Sequence, residues 1–275
     1  MIRKDCSLLS AHAAGRVVLF VHGSLSSRKL WAPYADALGG RRCVAVDLAG
    51  YGDGPAWPEG IPYRLSDAAA PLRSALEDCT GPVDLVAHSF GGAVALRYAI
   101  ENPGRVSSLT LIEPCWFGVL RDLGQPGEAA LREIEAVGRA FTPAGPDQDR
   151  LFAIGRFVDF WNGRRTWDAL PAERQEILAL KSDQVRRDFE AVFAEQLGLA
   201  AFRDLLVPTL VVTGTTSPAA ALLVAEALVR AIPRASAIAV PGAGHMLPAT
   251  HVPALTAILR ARFDASAPPA IPWAA

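Results

Sequence analysis

The stretch VDLVAHSFGGAVALRYA, residues 83–99, decides the fold. An apolar run of strand character leads straight into Ala87-His88-Ser89-Phe90-Gly91-Gly92, and a helix-compatible run follows. Small residues beside a serine at a strand-to-helix turn let the backbone take a strained elbow that lifts the hydroxyl clear of a sheet. The usual pattern is G-x-S-x-G, and Ala87 stands here for the first glycine, a small-for-small exchange. The plainer reading of Ser89 is a helix N-cap.

Working outward, apolar strand runs recur on both sides. RVVLFVHG (16–23) and RCVAVDLAG (42–50) precede the elbow; VSSLTLIEP (106–114), PTLVVTG (208–214) and ASAIAVPG (235–242) follow it. Most are continuous apolar runs, as expected of parallel strands buried on both faces. Helical patterns fall near 66–79, 91–102, 218–231 and 251–263, with Pro or Gly at most junctions. Alternating strands and helices predict an α/β fold with a mostly parallel, doubly wound sheet. From about 117 to 203 the rhythm breaks: GEAALREIEAVGRAF and PAERQEILALKSDQVRRDFEAVFAEQLG are helical, separated by TPAGPDQ. A crossover needs far fewer residues, so a helical cap over 117–203 is expected, inserted into a core made of 1–116 and 204–275. The tail DASAPPAIPWAA reads as loosely held.

Composition bounds the chemistry. The chain has 275 residues, 51% of them hydrophobic, enough for a sizeable core. Twenty-seven Lys plus Arg against 28 Asp plus Glu give a formal charge of −1, so no global field favours nucleic acid or an anionic membrane. Cys6, Cys43, Cys79 and Cys115 are scattered and read as buried free thiols, without the spacing of a zinc site or a disulfide framework. The start MIRKDCSLLSAHAAG lacks the apolar run of a secretion signal, and no membrane-length apolar run occurs, which predicts a cytoplasmic protein. Oligomeric state is left open.

Two further motifs bear on catalysis. VVLFVHGSLSSRKLW ends a strand at His22-Gly23 and enters a polar loop, where a backbone N–H can meet a developing oxyanion. Ser24 and Phe90 are the expected donors, with Leu25 as the fallback for the first. His22 reads as a loop histidine. AVPGAGHMLPATHVPAL sets His245 on a short glycine-flanked loop after a strand, within reach of a hydroxyl on a central strand; His245 is the expected base. His251 reads as a capping or surface residue, and His12 has no chemical context.

This order of HG loop, A-H-S-F-G-G elbow, helical insertion and late G-x-G-H-M resembles the α/β-hydrolase fold superfamily over about 16–263. DLAGYGDGP (47–55) is similar to a D-x-x-G-x-G segment common there, and FVDFWNGRRTW (157–167) to a stretch of a bacterial branch. The resemblance implies a Ser, acid, His triad in chain order, the acid lying in a G-x-x-D turn after the strand that follows the cap. Here that turn is Gly214-Thr215-Thr216-Ser217, and a neutral hydroxyl at Ser217 supplies no charge to an imidazolium. Ser217 then reads as the N-cap of the next helix, with Pro218 at its first position. One strand earlier, LTLIEPCWF carries Glu113 at a buried strand end, 24 residues after Ser89. Some branches, among them certain haloalkane dehalogenases and cofactor-free dioxygenases, keep their acid there. Glu113 is the expected acid; a solvated strand-end carboxylate, or Asp204 as the acid instead, are the alternatives.

A serine nucleophile, His245 and Glu113 imply hydrolysis of a small-molecule carboxylic ester or lactone through an acyl-enzyme, with no metal or cofactor. Carbon–carbon bond hydrolysis, a cofactor-free lyase or dioxygenase, and a non-catalytic ligand-binding protein are the alternatives. Aromatic residues cluster around the cap: Trp116, Phe117, Phe141, Phe152, Phe157, Phe160, Trp161 and Trp167. They predict an apolar or aromatic small-molecule substrate, with Leu25, Trp116, Phe117, Phe157, Trp161 and Met246 as pocket candidates. Arg156, Arg164 and Arg165 could hold a carboxylate or simply be exposed.

Overall fold

The structure, a computed structural model, describes residues 6–10, 16–141 and 150–264. His12, the whole TPAGPDQ segment and the tail from residue 265 lie outside the described residues, as does the Cys6 side chain.

Seven strands form one sheet in the order β1-β3-β2-β4-β5-β6-β7. They are β1 (Cys6–Ser10), β2 (Val17–Val21), β3 (Arg42–Val46), β4 (Val83–His88), β5 (Val106–Ile112), β6 (Thr209–Gly214) and β7 (Ala235–Val240). All neighbours pair in parallel except β1, which lies antiparallel on β3 at the sheet's edge. The sequence reading did not include β1: five residues with no long apolar run give a weak signal, and pairing with Cys43–Val46 rather than propensity makes the strand.

The helices are α1 (Ala32–Ala37), α2 (Leu65–Ala68), α3 (Ala70–Ala75), α4 (Phe90–Glu101), α5 (Gln125–Arg139), α6 (Arg150–Asn162), α7 (Ala172–Ala179), α8 (Ser182–Ala194), α9 (Ala219–Ala231), α10 (Leu247–Thr250) and α11 (Val252–Asp264). The helix expected near 66–79 is split in two, and a short helix not expected from sequence precedes the one expected near 251–263. Pro71 has no N–H to donate back along the chain, which separates α2 from α3. His251, in an extended-bridge conformation ahead of Val252-Pro253, separates α10 from α11.

Alternation along the strands fills both faces of the sheet. Val17, Leu19 and Val21 of β2 join Val44, Val46, Leu85 and Ala87 in one apolar cluster with α4 and α9. Val18 and Phe20 point the other way, into a cluster with Trp31, Tyr34, Leu255 and Leu259. All five β2 side chains are at most 7% exposed, a burial worth on the order of 10 kcal/mol before entropy is subtracted. Between β5 and β6 the described residues are helical: short 3-10 turns at Phe117–Leu123 and Leu199–Phe202 flank α5 to α8. The central strands β2, β4 and β5 are adjacent, so the loops at their carboxyl ends meet above the sheet.

Candidate active site

Ser89 follows β4 directly and starts α4 with φ 54° and ψ −123°, a conformation that L-residues rarely take. Its hydroxyl makes no cap bond to α4, so position and chemistry separate: Ser89 stands at the N-cap while its Oγ turns elsewhere. Glycine is required just behind it. A Cβ on Gly91 would lie 2.3 Å from the His22 carbonyl oxygen, so only glycine lets α4 start against the β2 loop.

The Ser89 hydroxyl meets His245, whose Nε2 lies 2.9 Å from Oγ. The other ring nitrogen, Nδ1, lies 3.3 Å from Glu113 Oε2. A carboxylate can only accept, so Nδ1 carries the proton and Nε2 presents its lone pair to the serine. Glu113 is fully buried and His245 is 3% exposed. The sequence thus has Ser89, His245 and Glu113 brought into one hydrogen-bonded line, from three separate loops.

Glu113 sits at the end of β5 with φ 51°, another left-handed residue that is not glycine. Its N–H donates to Val212 O of neighbouring β6 at 2.9 Å. Its Oε1 accepts from Gly214 N–H and from Ser217 Oγ, each at 2.7 Å. The turn from which an acid was absent therefore holds one donated by the adjacent strand. Ser217 is not a helix N-cap: Pro218 takes that position, and the Ser217 hydroxyl is committed to Glu113. Asp204 is exposed in a turn before β6 and has no part in the cluster.

The loop after β2 approaches Ser89 closely, since a Cβ on Gly23 would come within 2.7 Å of Ser89 Cβ. Leu25 has φ 56°. The N–H groups of Ser24 and Phe90, the expected donors, have no acceptor among the described residues. Asp47 of the D-x-x-G-x-G segment anchors this loop: its carboxylate accepts Arg28 N–H at 2.7 Å and Asp53 N–H at 2.9 Å, and pairs with the Arg28 guanidinium.

The remaining histidines have other duties. His22 Nε2 accepts from Leu48 N–H at 3.0 Å while Nδ1 donates to Gly23 O at 2.7 Å, and burial pushes its pKa down to about 4. His88 donates through Nε2 to the His245 carbonyl at 2.9 Å, and burial, aided by the neighbouring His245, pushes its pKa down to about 3. Both are neutral scaffold groups near neutral pH. His251 closes α10 and pairs with Thr250 Oγ1 at 2.9 Å, the capping position expected of it.

A fold of this order, with Ser89 after β4 and His245 after β7, has a named counterpart. Residues 18–257 match the profile described as "Alpha/beta hydrolase family". The chain belongs to the alpha/beta hydrolase family. Among its relatives, a "Putative carbamate hydrolase RutD" of Variovorax paradoxus is 30% identical over 210 residues, 71% of this chain and 77% of that protein. "Probable lysophospholipase BODYGUARD 2" of Arabidopsis thaliana is 33% identical over 132 residues, 42% of this chain but 26% of that protein. The chain thus spans about a quarter of this second relative. Among solved structures, a thermophilic esterase from Thermogutta terrifontis superposes with a TM-score of 0.66 at 24% identity, over 92% of this chain and 90% of that one. This last likeness speaks for the fold alone.

Residues between β5 and β6 contribute to the lining of the space above Ser89. A narrow cavity of about 20 Å³ is lined by Ser24, Ser89, Phe90, Cys115, Phe117, Phe157 and Trp161, and by Val185, Asp188, Phe189 and Val192 of α8. Phe117, Phe157 and Trp161 are thus where the sequence led them to be expected. Trp116 is not: its Nε1 donates to Leu197 O at 2.9 Å and its ring packs on Phe202. Met246 lies in a second hollow on the outer side of His245, together with Thr216 and Phe160. Leu25 packs against the apolar core rather than the cavity. Arg156 and Arg164 line a groove on the insertion with Phe152 and Trp167, apart from Ser89.

Two cavity features went unread in the sequence. The indole of Trp161, from α6, stacks on the His245 ring with centroids 3.9 Å apart and planes at 26°. Asp188, from α8, is 3% exposed and lines the cavity beside Ser24. Its Oδ2 accepts from Ser24 Oγ at 2.5 Å and Tyr51 hydroxyl at 2.6 Å, and its Oδ1 from Gln184 at 3.0 Å. Burial pushes its carboxyl up to about 7 against these hydrogen bonds. A signal for it existed: Val185, Asp188, Phe189 and Val192 fall on one helical face, so an acid interrupts an apolar stripe.

Among the described residues no helix is long and apolar enough to cross a membrane, and no group of three or more His, Cys, Asp or Glu could hold a metal. Cys43, Cys79 and Cys115 are free thiols; Cys79 is only half-buried.

Proposed function

We propose that this chain is a serine hydrolase that cleaves small-molecule carboxylic esters or lactones through an acyl-enzyme. The observation that carries the reading is the line Glu113 Oε2, His245, Ser89 Oγ at 3.3 and 2.9 Å, with the serine in elbow geometry. His245 Nε2 takes the Ser89 proton as Oγ attacks the carbonyl carbon. The N–H groups of Ser24 and Phe90 receive the resulting oxyanion. Collapse of the tetrahedral adduct expels the alcohol, protonated by His245, and leaves the acyl group on Ser89. Water, deprotonated by His245, then attacks the acyl carbon and releases the acid. Glu113 keeps the imidazole in the needed tautomer and offsets the positive charge that each step places on it.

Residues 117–203 act as a cap over this site, and their aromatic side chains receive the substrate. The relatives' printed names support acyl transfer, since carbamates and lysophospholipids are opened by the same attack on a carbonyl. A relative named 2-hydroxy-6-oxo-2,4-heptadienoate hydrolase points to carbon–carbon cleavage as the other outcome. Against it, that substrate class is anionic, and the charged side chain in the cavity wall is Asp188.

The test is covalent labelling with an alkyl fluorophosphonate, followed by p-nitrophenyl esters of graded chain length. Wild type is expected to be labelled stoichiometrically and to hydrolyse short or medium esters, while Ser89→Ala does neither. Substantial turnover by Ser89→Ala would overturn the acyl-enzyme and favour a cofactor-free reaction driven by His245.

A further inference from the structure

The proposed mechanism leaves Asp188 without a task. Its setting is unusual: a carboxylate 3% exposed in the wall of the reactive cavity, where its neighbours are Phe117, Phe157, Trp161, Val185, Phe189 and Val192. Hydrogen bonding is well provided, since Ser24, Tyr51 and Gln184 donate three bonds. Every one of those donors is neutral. Arg187, the next residue along α8, acts on Asp188 only through space, and Asp188 forms no ion pair with any described residue. A buried acid so placed lacks charge compensation rather than hydrogen-bond donors.

We infer that this cavity is built to take a substrate bearing a protonated amine, whose positive charge Asp188 receives while the aromatic wall packs around its carbon atoms. The inference rests on the hydrolase reading and adds the substrate class to it: esters or lactones of amino acids or amino alcohols. Three arguments favour a cation over the alternatives. A neutral apolar group would strip the remaining water from the carboxylate and offer nothing in return. An anion would be repelled. An alkylammonium, by contrast, gains both an opposite charge and the faces of aromatic rings, which attract cations most strongly when water is excluded. The carboxyl held up at about 7 by burial agrees with this, because it marks an ionised form short of stabilisation that a bound cation would supply.

The site can be tested apart from turnover. At pH 8, N,N-dimethylpropylamine and its uncharged isostere 2-methylpentane would be compared as competitors of fluorophosphonate labelling and, by calorimetry, as ligands. The amine is expected to bind at least about tenfold more tightly, and Asp188→Asn to remove that advantage. In turnover, ethyl 4-(dimethylamino)butanoate against ethyl 5-methylhexanoate, and 2-(dimethylamino)ethyl butanoate against 3-methylbutyl butanoate, place the charge on either side of the scissile bond. One amine ester of these pairs is expected to exceed its isostere at least tenfold in kcat/KM, with a carboxylate-bearing ester poorest. Equal binding of amine and isostere by wild type overturns the inference without reference to any variant, as does a preference that survives in Asp188→Asn. Amine binding without hydrolysis of any ester would instead refute the hydrolase reading and leave the cation site standing.

Discussion

Replacing Glu113 by glutamine tests the arrangement at its most informative point. The amide oxygen can still accept from Gly214 N–H and Ser217 Oγ, so the cradle survives. Its NH2 group then occupies the place of Oε2, facing His245 Nδ1. Two donors cannot meet, so Nδ1 must give up its proton and Nε2 must carry it, pointing at Ser89 and unable to accept. The charge is lost as well. With 3.3 Å between the groups and an effective dielectric of about 20, the carboxylate is worth about 5 kcal/mol to the imidazolium. At about 1.4 kcal/mol per decade this predicts a fall in kcat of between three and four decades. The assay is p-nitrophenyl ester hydrolysis at saturating substrate, with thermal melting as the check on folding. A folded Glu113→Gln variant within tenfold of wild type would refute the assignment of Glu113 as the orienting acid.

Ser217→Ala removes one hydrogen bond to that carboxylate, and a loss in kcat of roughly tenfold is expected, from a bond to a charged group worth about 1.5 kcal/mol or more; unchanged kinetics would mean the bond is dispensable. Gly91→Ala drives a Cβ to within 2.3 Å of His22 O and should destabilise the fold by about 2 kcal/mol or more, read as a lowered midpoint in urea. Asp188 carries a pH signature, because its carboxyl is held at about 7 in the fold and near 3.9 when unfolded. The native state binds the extra proton between those values, so this group's contribution to stability is full below about pH 4 and lost as pH rises through 7. Asp188→Asn should therefore gain on wild type by up to about 4 kcal/mol between pH 4 and pH 8; parallel stability curves would show the shift to be absent.

How much of this was legible in the sequence differs by element. The six parallel strands, the elbow and the helical stretch after β5 are local patterns, and residues 83–99 alone carry strand, turn and helix. The strand β1 and the break between α2 and α3 were not read: the first exists by pairing, and the second divides a segment whose helical pattern continues across it. In the site, Ser89 and His245 sit in short motifs, whereas Glu113 was reached by noticing where an acid was missing. What sequence could not supply was the traffic between strands. That Ser217 donates to Glu113 depends on β5 and β6 being neighbours, and that Asp188 meets Ser24 depends on how α8 lies across the β2 loop. Trp116 was misread because proximity along the chain to Glu113 does not fix which way an indole turns.

The left-handed residues have a bearing on how this protein could be made more durable. Among the described residues four that are not glycine have positive φ: Leu25, Ser89, Glu113 and Arg165. Two of them, Ser89 and Glu113, end strands that converge on the candidate site, and there the backbone tension accompanies the aiming of a hydroxyl and a carboxylate at His245. Relaxing either of those two is expected to trade activity for robustness. Arg165 is different: it is exposed, in the turn after α6, and remote from Ser89. Arg165→Gly should raise the melting temperature by a degree or more while leaving kcat alone, since relief of about 1 kcal/mol or more of left-handed strain exceeds the added freedom of the unfolded chain. Tension at the reaction centre is thus part of the working parts, and tension at Arg165 is the reserve from which stability can be drawn.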